Sequence, residues 1–144
     1  MALTMASRAR DELIRNWELA LALDIRPALD TERLARAFRH VVSLHSRLRA
    51  IYEIRKGEVG VRLLPPEAFE LEVEDATTLT EEQFRERLQL AADRPWTMSK
   101  GPQVTLTAYR RPRGRMALLL RMNHLMVDGW SIEIVLRDMI MFYL

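Results

Sequence analysis

A chain of 144 residues, 49% of them hydrophobic and 29% charged, has the size and balance of a single globular domain able to bury a core. Its formal net charge of +2 is too small to draw in a nucleic acid. The absence of Cys excludes disulfides, thiolate zinc sites and a Cys nucleophile, and leaves the compartment open.

The first 17 residues carry Arg8, Arg10, Asp11, Glu12 and Arg15 with no continuous apolar core, so they read as neither signal peptide nor anchor. Nor does any apolar run approach the roughly 20 residues that a membrane-spanning helix needs. The cytoplasm is therefore the expected location, with no membrane partner. Residues 1–16 read as a lead-in and 17–144 as the domain proper. From Trp17 to Asp24 the chain alternates, with Trp17, Leu19, Leu21 and Leu23 on one face and Ala20 and Ala22 on the other. That pattern predicts a strand covered on both sides, its small residues facing a close helix. Asp30 or Thr31 caps a helix expected to run to about Leu48, with Leu34, Ala37, Phe38, Val41, His45 and Leu48 as its inner stripe. Arg33, Arg36, His40, Ser43 and Arg47 form its wet face, and His40 and His45 read as structural.

Residues 50–55 and 58–64 flank Lys56-Gly57, a hairpin signal, and Pro65-Pro66 ends the second strand. Phe69, Leu71 and Val73 alternate with Glu70, Glu72 and Glu74, as on a short strand with one solvated face. Thr80-Glu81-Glu82-Gln83 is a capping box opening a helix whose stripe is Phe84, Leu88, Ala91 and Ala92, and Pro95 stops it. Two further strands, 103–110 and 116–122, are joined by an arginine-rich loop. Arg110, Arg111, Arg113 and Arg115 have no interleaved aromatics and read as a solvated hairpin rather than a binding patch. The sum is one α/β structure, helices against a mixed sheet.

The last stretch organises the rest. Residues 116–122 form an apolar run of central-strand length, and from Ser131 the period becomes helical through Ile132, Val135, Leu136, Met139, Ile140 and Tyr143. Between them stand Asn123-His124-Leu125-Met126-Val127-Asp128-Gly129, at a strand end that holds side chains rigidly.

This segment, continued by Trp130-Ser131, resembles the H-H-x-x-x-D-G active-site motif of the condensation-domain superfamily of acyltransferases, with Asn123 in place of the first His. Three further segments are similar to family patterns in the family's order. Leu29 to Leu34 with His45-Ser46-Arg47-Leu48-Arg49 resembles the first helix and its "RHExLR" ending. Residues 94–102, Arg-Pro-Trp-Thr-Met-Ser-Lys-Gly-Pro, resemble "RPFDLxxGP", and residues 135–143 resemble the helix after the motif. The resemblance implies a chloramphenicol acetyltransferase-like half-domain, the N-terminal lobe of a two-lobed enzyme whose C-terminal lobe is absent.

It also implies acyl transfer from thioesters on the phosphopantetheine arm of a carrier protein, forming an amide or ester in nonribosomal peptide synthesis. No metal and no directly bound cofactor is implied. The implied partners are an acyl or peptidyl carrier protein and either the missing lobe or a second copy. Within the family, epimerisation is not separated by these residues. Cyclisation is disfavoured, since that branch carries D-x-x-x-x-D here. The rival reading is a catalytically silent, condensation-like module that binds a carrier protein or partner enzyme.

His124 is the candidate catalytic residue, because an imidazole with a pKa near ~6.5 can take or position a proton at neutrality. Asp128 precedes a helix start, where a carboxylate caps backbone N–H groups, and it reads as architectural; the resemblance further implies an arginine partner for it, for which Arg121 is the nearest candidate. Gly129 suits a crowded turn, and its N–H is a candidate oxyanion donor. Asn123 hydrogen-bonds like a neutral imidazole but shuttles no proton. Trp130 and Ser131 complete the motif. Ser131 lacks the G-x-S-x-G setting of a nucleophile.

Overall fold

The computed structural model describes residues 2–4, 18–97, 99–123 and 129–144. Among these residues seven strands and three α-helices follow one another as β1 (Ala2–Thr4), β2 (Glu18–Ile25), α1 (Thr31–Leu44), β3 (Ala50–Arg55), β4 (Glu58–Leu63), β5 (Leu71–Asp75), α2 (Glu81–Ala92), β6 (Val104–Arg111), β7 (Arg115–Asn123) and α3 (Gly129–Tyr143). Five strands form a mixed sheet in the order β1-β2-β7-β6-β5, while β3 and β4 pair only with each other. The apolar run of β7 is central, antiparallel to β2 on one side and β6 on the other. Strand β5 runs parallel to β6, and α2 supplies the crossover that a parallel pair requires.

Alternation along β7 builds two cores. Met116, Leu118, Leu120 and Met122 face the larger one, shared with Leu34, Phe38, Val41 and Val42 of α1 and Val135 and Met139 of α3. Ala117 and Leu119 face the smaller one, with Phe84 of α2 and Tyr109 of β6. The small residues of β2 behave as their spacing predicts: Ala20 and Ala22 pack on the α2 side while Leu21, Leu23 and Ile25 enter the large core. Each large aliphatic side chain buried in this way contributes about 1.5–3 kcal/mol.

The helix starts follow their capping residues. The Asp30 carboxylate accepts the Arg33 N–H at 2.9 Å, and at α2 Thr80 and Gln83 exchange both bonds of the capping box. Helix α1 stops earlier than its pattern predicts. It ends at Leu44, and Ser46–Arg49 forms a separate 3-10 turn, because His45 takes an extended conformation at φ −109° and ψ 94°. Leu48 still reaches the core from that turn.

The arginine-rich hairpin is only half solvated, contrary to expectation. Arg110 and Arg113 are exposed, but Arg111 is buried. Its guanidinium donates to the Ala76 carbonyl at 2.9 Å and to Glu81 at 2.7 Å, and lies 3.9 Å from the centre of the Phe84 ring. Arg115 bridges Asp24 and Glu81. An acceptor cluster from three other elements draws these two cations inward, and nothing local in the sequence announces it.

Two apolar surfaces stay uncovered among the described residues. The register of the β3–β4 hairpin puts Tyr52, Ile54, Val59, Val61 and Leu63 on one face, with Ile54 77% and Val59 68% exposed. At the end of α3, Met141 and Leu144 are exposed, and so is Ile140, which the helical stripe had placed inside.

Candidate functional site

Strand β7 ends at Asn123, opposite Glu18 of β2, and α3 begins at Gly129. The flanks of the motif thus stand where the change of period predicts, at the end of a central strand and the start of the last helix. His124 and Asp128 themselves, with residues 125–127, lie outside the described residues. So do the side chains of Trp130 and Ser131; only their backbone, with that of Gly129, is described as the first turn of α3.

What is described is the polar lock on the strand end. Asn123 is 3% exposed. Its side-chain amide donates to Gln103 Oε1 at 2.9 Å, and its backbone N–H donates to the Gln103 carbonyl at 2.9 Å. Gln103 in turn donates through Nε2 to the carbonyls of Thr97 (2.8 Å), Gly101 (3.2 Å) and Lys100 (3.3 Å). One buried amide pair therefore ties the loop before β6 to the last residue of β7. In low dielectric such a network is strong when satisfied and costly when broken. The Asn123 amide is occupied in holding structure, consistent with a residue that moves no proton.

Arg121, two residues earlier on the same face, is 6% exposed. Its guanidinium donates to the Arg94 carbonyl and sits 4.6 Å from the centre of the Trp96 ring. These contacts fix Pro95–Thr97 against β7 from the other side of the same loop. Gln103 and Trp96 were not singled out from the sequence. A signal existed for the first: a Gln just before strand β6 falls opposite a polar Asn closing its neighbour.

The helix that follows the motif is anchored at its far end. His45 Nε2 lies 2.8 Å from Asp138 Oδ2, and Arg137 donates to the other carboxylate oxygen at 3.0 and 2.9 Å. Asp138, a charged residue of α3, is only 6% exposed. The His45 hydrogen bond, then that of Arg137, holds its carboxyl below the usual carboxylate value of 3.8. His40 packs edge-on against Phe142 at 4.0 Å between ring centres. His40 of α1 and His45 just after it therefore both serve the contact with α3. Among the described residues no His, Asp and Glu side chains group to hold a metal, and no helix is long and apolar enough to cross a membrane.

A central strand locked at its end, a helix starting six residues later, and helices on both sheet faces make an α/β fold that solved condensation domains share. The family model of the condensation domain matches residues 10–144, and the chain belongs to that family. It is 30% identical over 128 residues to chondramide synthase cmdD of Chondromyces crocatus, covering 85% of this chain and 3% of that protein. To the probable non-canonical nonribosomal peptide synthetase CymA of Salinispora arenicola it is 29% identical over 123 residues, covering 85% and 2%. Among solved structures, the starter condensation domain of rhizomide synthetase RzmA superposes with a TM-score of 0.77 at 19% identity, covering 88% of this chain and 31% of that one. The epimerization domain from the third module of tyrocidine synthetase B gives 0.75 at 26% identity, covering 89% and 30%. The chain thus spans a few per cent of these synthetases and less than a third of the solved domains. Condensation and epimerization domains match alike, so the fold by itself does not choose between those chemistries.

Proposed function

We propose that this chain is the motif-bearing lobe of a condensation-type acyltransferase that joins carrier-bound acyl or aminoacyl groups in nonribosomal peptide synthesis. The observation that carries the reading is the locked end of β7. His124 follows the buried Asn123–Gln103 pair directly, and a general base acts only when its reach to the reacting proton is fixed. In the reaction, an amine attacks the carbonyl carbon of a phosphopantetheine thioester. The C–N bond forms as the C–S bond breaks, and the proton lost by the amine is taken up by the leaving thiolate. His124 holds or relays that proton. Asp128 caps α3, supporting the turn without touching substrate, and the Gly129 N–H stabilises the developing oxyanion. A hydroxyl in place of the amine gives an ester by the same steps.

The partners are a carrier protein and a covering surface, either a second lobe of similar fold or another copy of this chain, in the cytoplasm. Exposed apolar area on the β3–β4 hairpin and at the end of α3 supports such a cover. We accordingly expect the 144-residue chain alone to self-associate and to transfer little acyl group.

A silent carrier-binding module is the second reading, favoured by the occupied amide of Asn123. The test is His124→Ala in the two-lobed protein. Transfer falls about 10²–10⁴-fold with carrier binding intact if the histidine acts on the proton. Turnover within a few-fold of wild type removes His124 from the chemistry and leaves the silent module.

A further inference from the structure

The β3–β4 hairpin stands apart from the five-stranded sheet, and among the described residues β4 has a strand on one edge only. Lys56 and Gly57 close the hairpin at φ 52° and 78°, the left-handed pair that a tight two-residue turn requires. The register fixes which backbone groups of β4 are turned toward β3. The Leu64 N–H donates to the Arg49 carbonyl at 2.7 Å. Hydrogen-bonded pairs recur at every second residue from there, at Ile51–Arg62, Glu53–Gly60 and Arg55–Glu58. The backbone N–H and C=O groups of Val59, Val61 and Leu63 therefore point outward, along an edge on which every residue of β4 is exposed.

An open edge is a template for another strand, and native edges are usually blunted by Pro, Lys or a bulge. Strand β4, Glu-Val-Gly-Val-Arg-Leu, has neither residue, and its register with β3 is unbroken. Its charges match its own reversed sequence. In an antiparallel pair of β4 strands, outward-pointing residues must face outward-pointing residues, so the two-fold axis passes through a residue. An axis through Gly60 sets Glu58 opposite Arg62 and Val59 opposite Val61, in both directions. An axis through Glu58 or Arg62 sets like charges opposite each other, which destabilises, and one through Val59 or Val61 leaves Glu58 and Arg62 unmatched. Within the chain Arg55 and Arg62 both pair with Glu53, and the Glu58 carboxylate has no ion-pair partner among the described residues.

Gly60 points the same way. A glycine inside a strand weakens it and often marks the close approach of another backbone. Nothing within the chain calls for it: a Cβ there would meet only the Glu53 carbonyl, at 3.8 Å, an ordinary contact. On the axis it would form a non-hydrogen-bonded pair with itself, with Cα atoms about 4.5 Å apart, the closest approach in an antiparallel ladder.

We propose that the outer edge of β4 docks a second copy of this chain, the two β4 strands pairing antiparallel about Gly60 into one continuous sheet. The pairing names the contact behind the self-association expected above and rests on that reading. An edge contact of this length falls at the small end of specific interfaces, so the dimer is weak and concentration-dependent.

Sedimentation of the 144-residue chain between about 5 and 500 µM should show a reversible monomer–dimer equilibrium. Glu58→Arg and Arg62→Glu should each weaken it by about tenfold, and an equimolar mixture of the two variants should restore it, each copy supplying the charge the other needs. The chain has no Cys, so one introduced thiol reports one position. In a glutathione buffer, Gly60→Cys should cross-link at least about tenfold more readily than Val61→Cys. Position 60 meets itself within the roughly 7 Å that a disulfide spans, whereas position 61 lies diagonally, about 7–8 Å from its counterpart. The same cross-link is expected in the two-lobed protein. A monomer throughout the range, or Val61→Cys cross-linking as readily as Gly60→Cys, overturns the pairing. Association untouched by both charge reversals overturns it too, moving self-association to another surface. Loss of the Gly60→Cys cross-link in the two-lobed protein gives the edge to the second lobe and likewise overturns it. No readout involves acyl transfer, so this contact and the reaction at His124 stand or fall separately.

Discussion

The two faces of β7 are built on different rules. Toward α1 and α3 the strand presents Met116, Leu118, Leu120 and Met122, all apolar and all buried. Toward α2 it begins in the same manner with Ala117 and Leu119, then turns to Arg121 and Asn123, which are just as buried but held by hydrogen bonds and an aromatic ring. One face makes stability from area, the other converts part of its area into fixed direction. A buried polar lock contributes little net stability when whole, yet it specifies where the loop of residues 94–102 and the end of the strand must lie. That division explains why a site can sit at the end of a strand whose other face is simply core.

The comparison breaks first on the apolar face. Leu118→Ala should destabilise by about 2–5 kcal/mol through lost transfer energy and a cavity, seen as a lower midpoint in denaturant unfolding. A loss below about 1 kcal/mol would mean that this face collapses freely and is not the principal core.

Asp138→Ala comes next, at about 1.5–3 kcal/mol, because it removes a charge-assisted bond between α3 and His45, the residue that ends α1. Its pH dependence has a fixed sign. The folded pKa of Asp138 is lowered, so its contribution is complete above the ordinary value of 3.8 and disappears as pH falls through the lower folded value. Thermal melts of wild type and variant should converge only in that acid range. Convergence already near neutrality would show that Asp138 is not the group responsible.

The lock is sharpened by a double-mutant cycle. Gln103→Leu should cost about 1–3 kcal/mol, since it strands the Asn123 amide and three loop carbonyls. Adding Asn123→Leu should recover part of that loss, because an apolar pair leaves no orphaned donor at the strand end. Strictly additive losses would mean that the two side chains do not depend on each other. Smallest is Thr80→Ala, about 1 kcal/mol, which removes the capping box of α2 and touches neither face of β7.

Legibility in the sequence follows the same division. Apolar periodicity located all three helices and six of the strands, since burial leaves its mark on every second or third residue. The β5–β6–β7 arrangement was not readable, because strand order depends on contacts far apart in the chain. The motif pointed to a strand end, and Asn123, its first residue, closes β7. Its supports were silent: Gln103, Trp96 and Asp138 are single polar residues whose partners lie 20 to 93 positions away or come from a neighbouring loop. Arg111 and Arg115 misled for the same reason, looking solvated until Ala76, Asp24 and Glu81 were brought beside them. Periodic features are written locally, whereas a buried polar bond needs both partners to be seen.

We propose that Asn123 holds structure while His124, its neighbour in the sequence, handles the proton. The measurement is the single-turnover rate of acyl transfer per folded molecule for Asn123→Ala and His124→Ala in the two-lobed protein, each paired with its Tm. Asn123→Ala should lower the Tm and leave the rate within a few-fold of wild type. His124→Ala should leave the Tm and reduce the rate by about 10²–10⁴. An Asn123→Ala protein that keeps its Tm and loses its rate would contradict the division of labour at the end of β7.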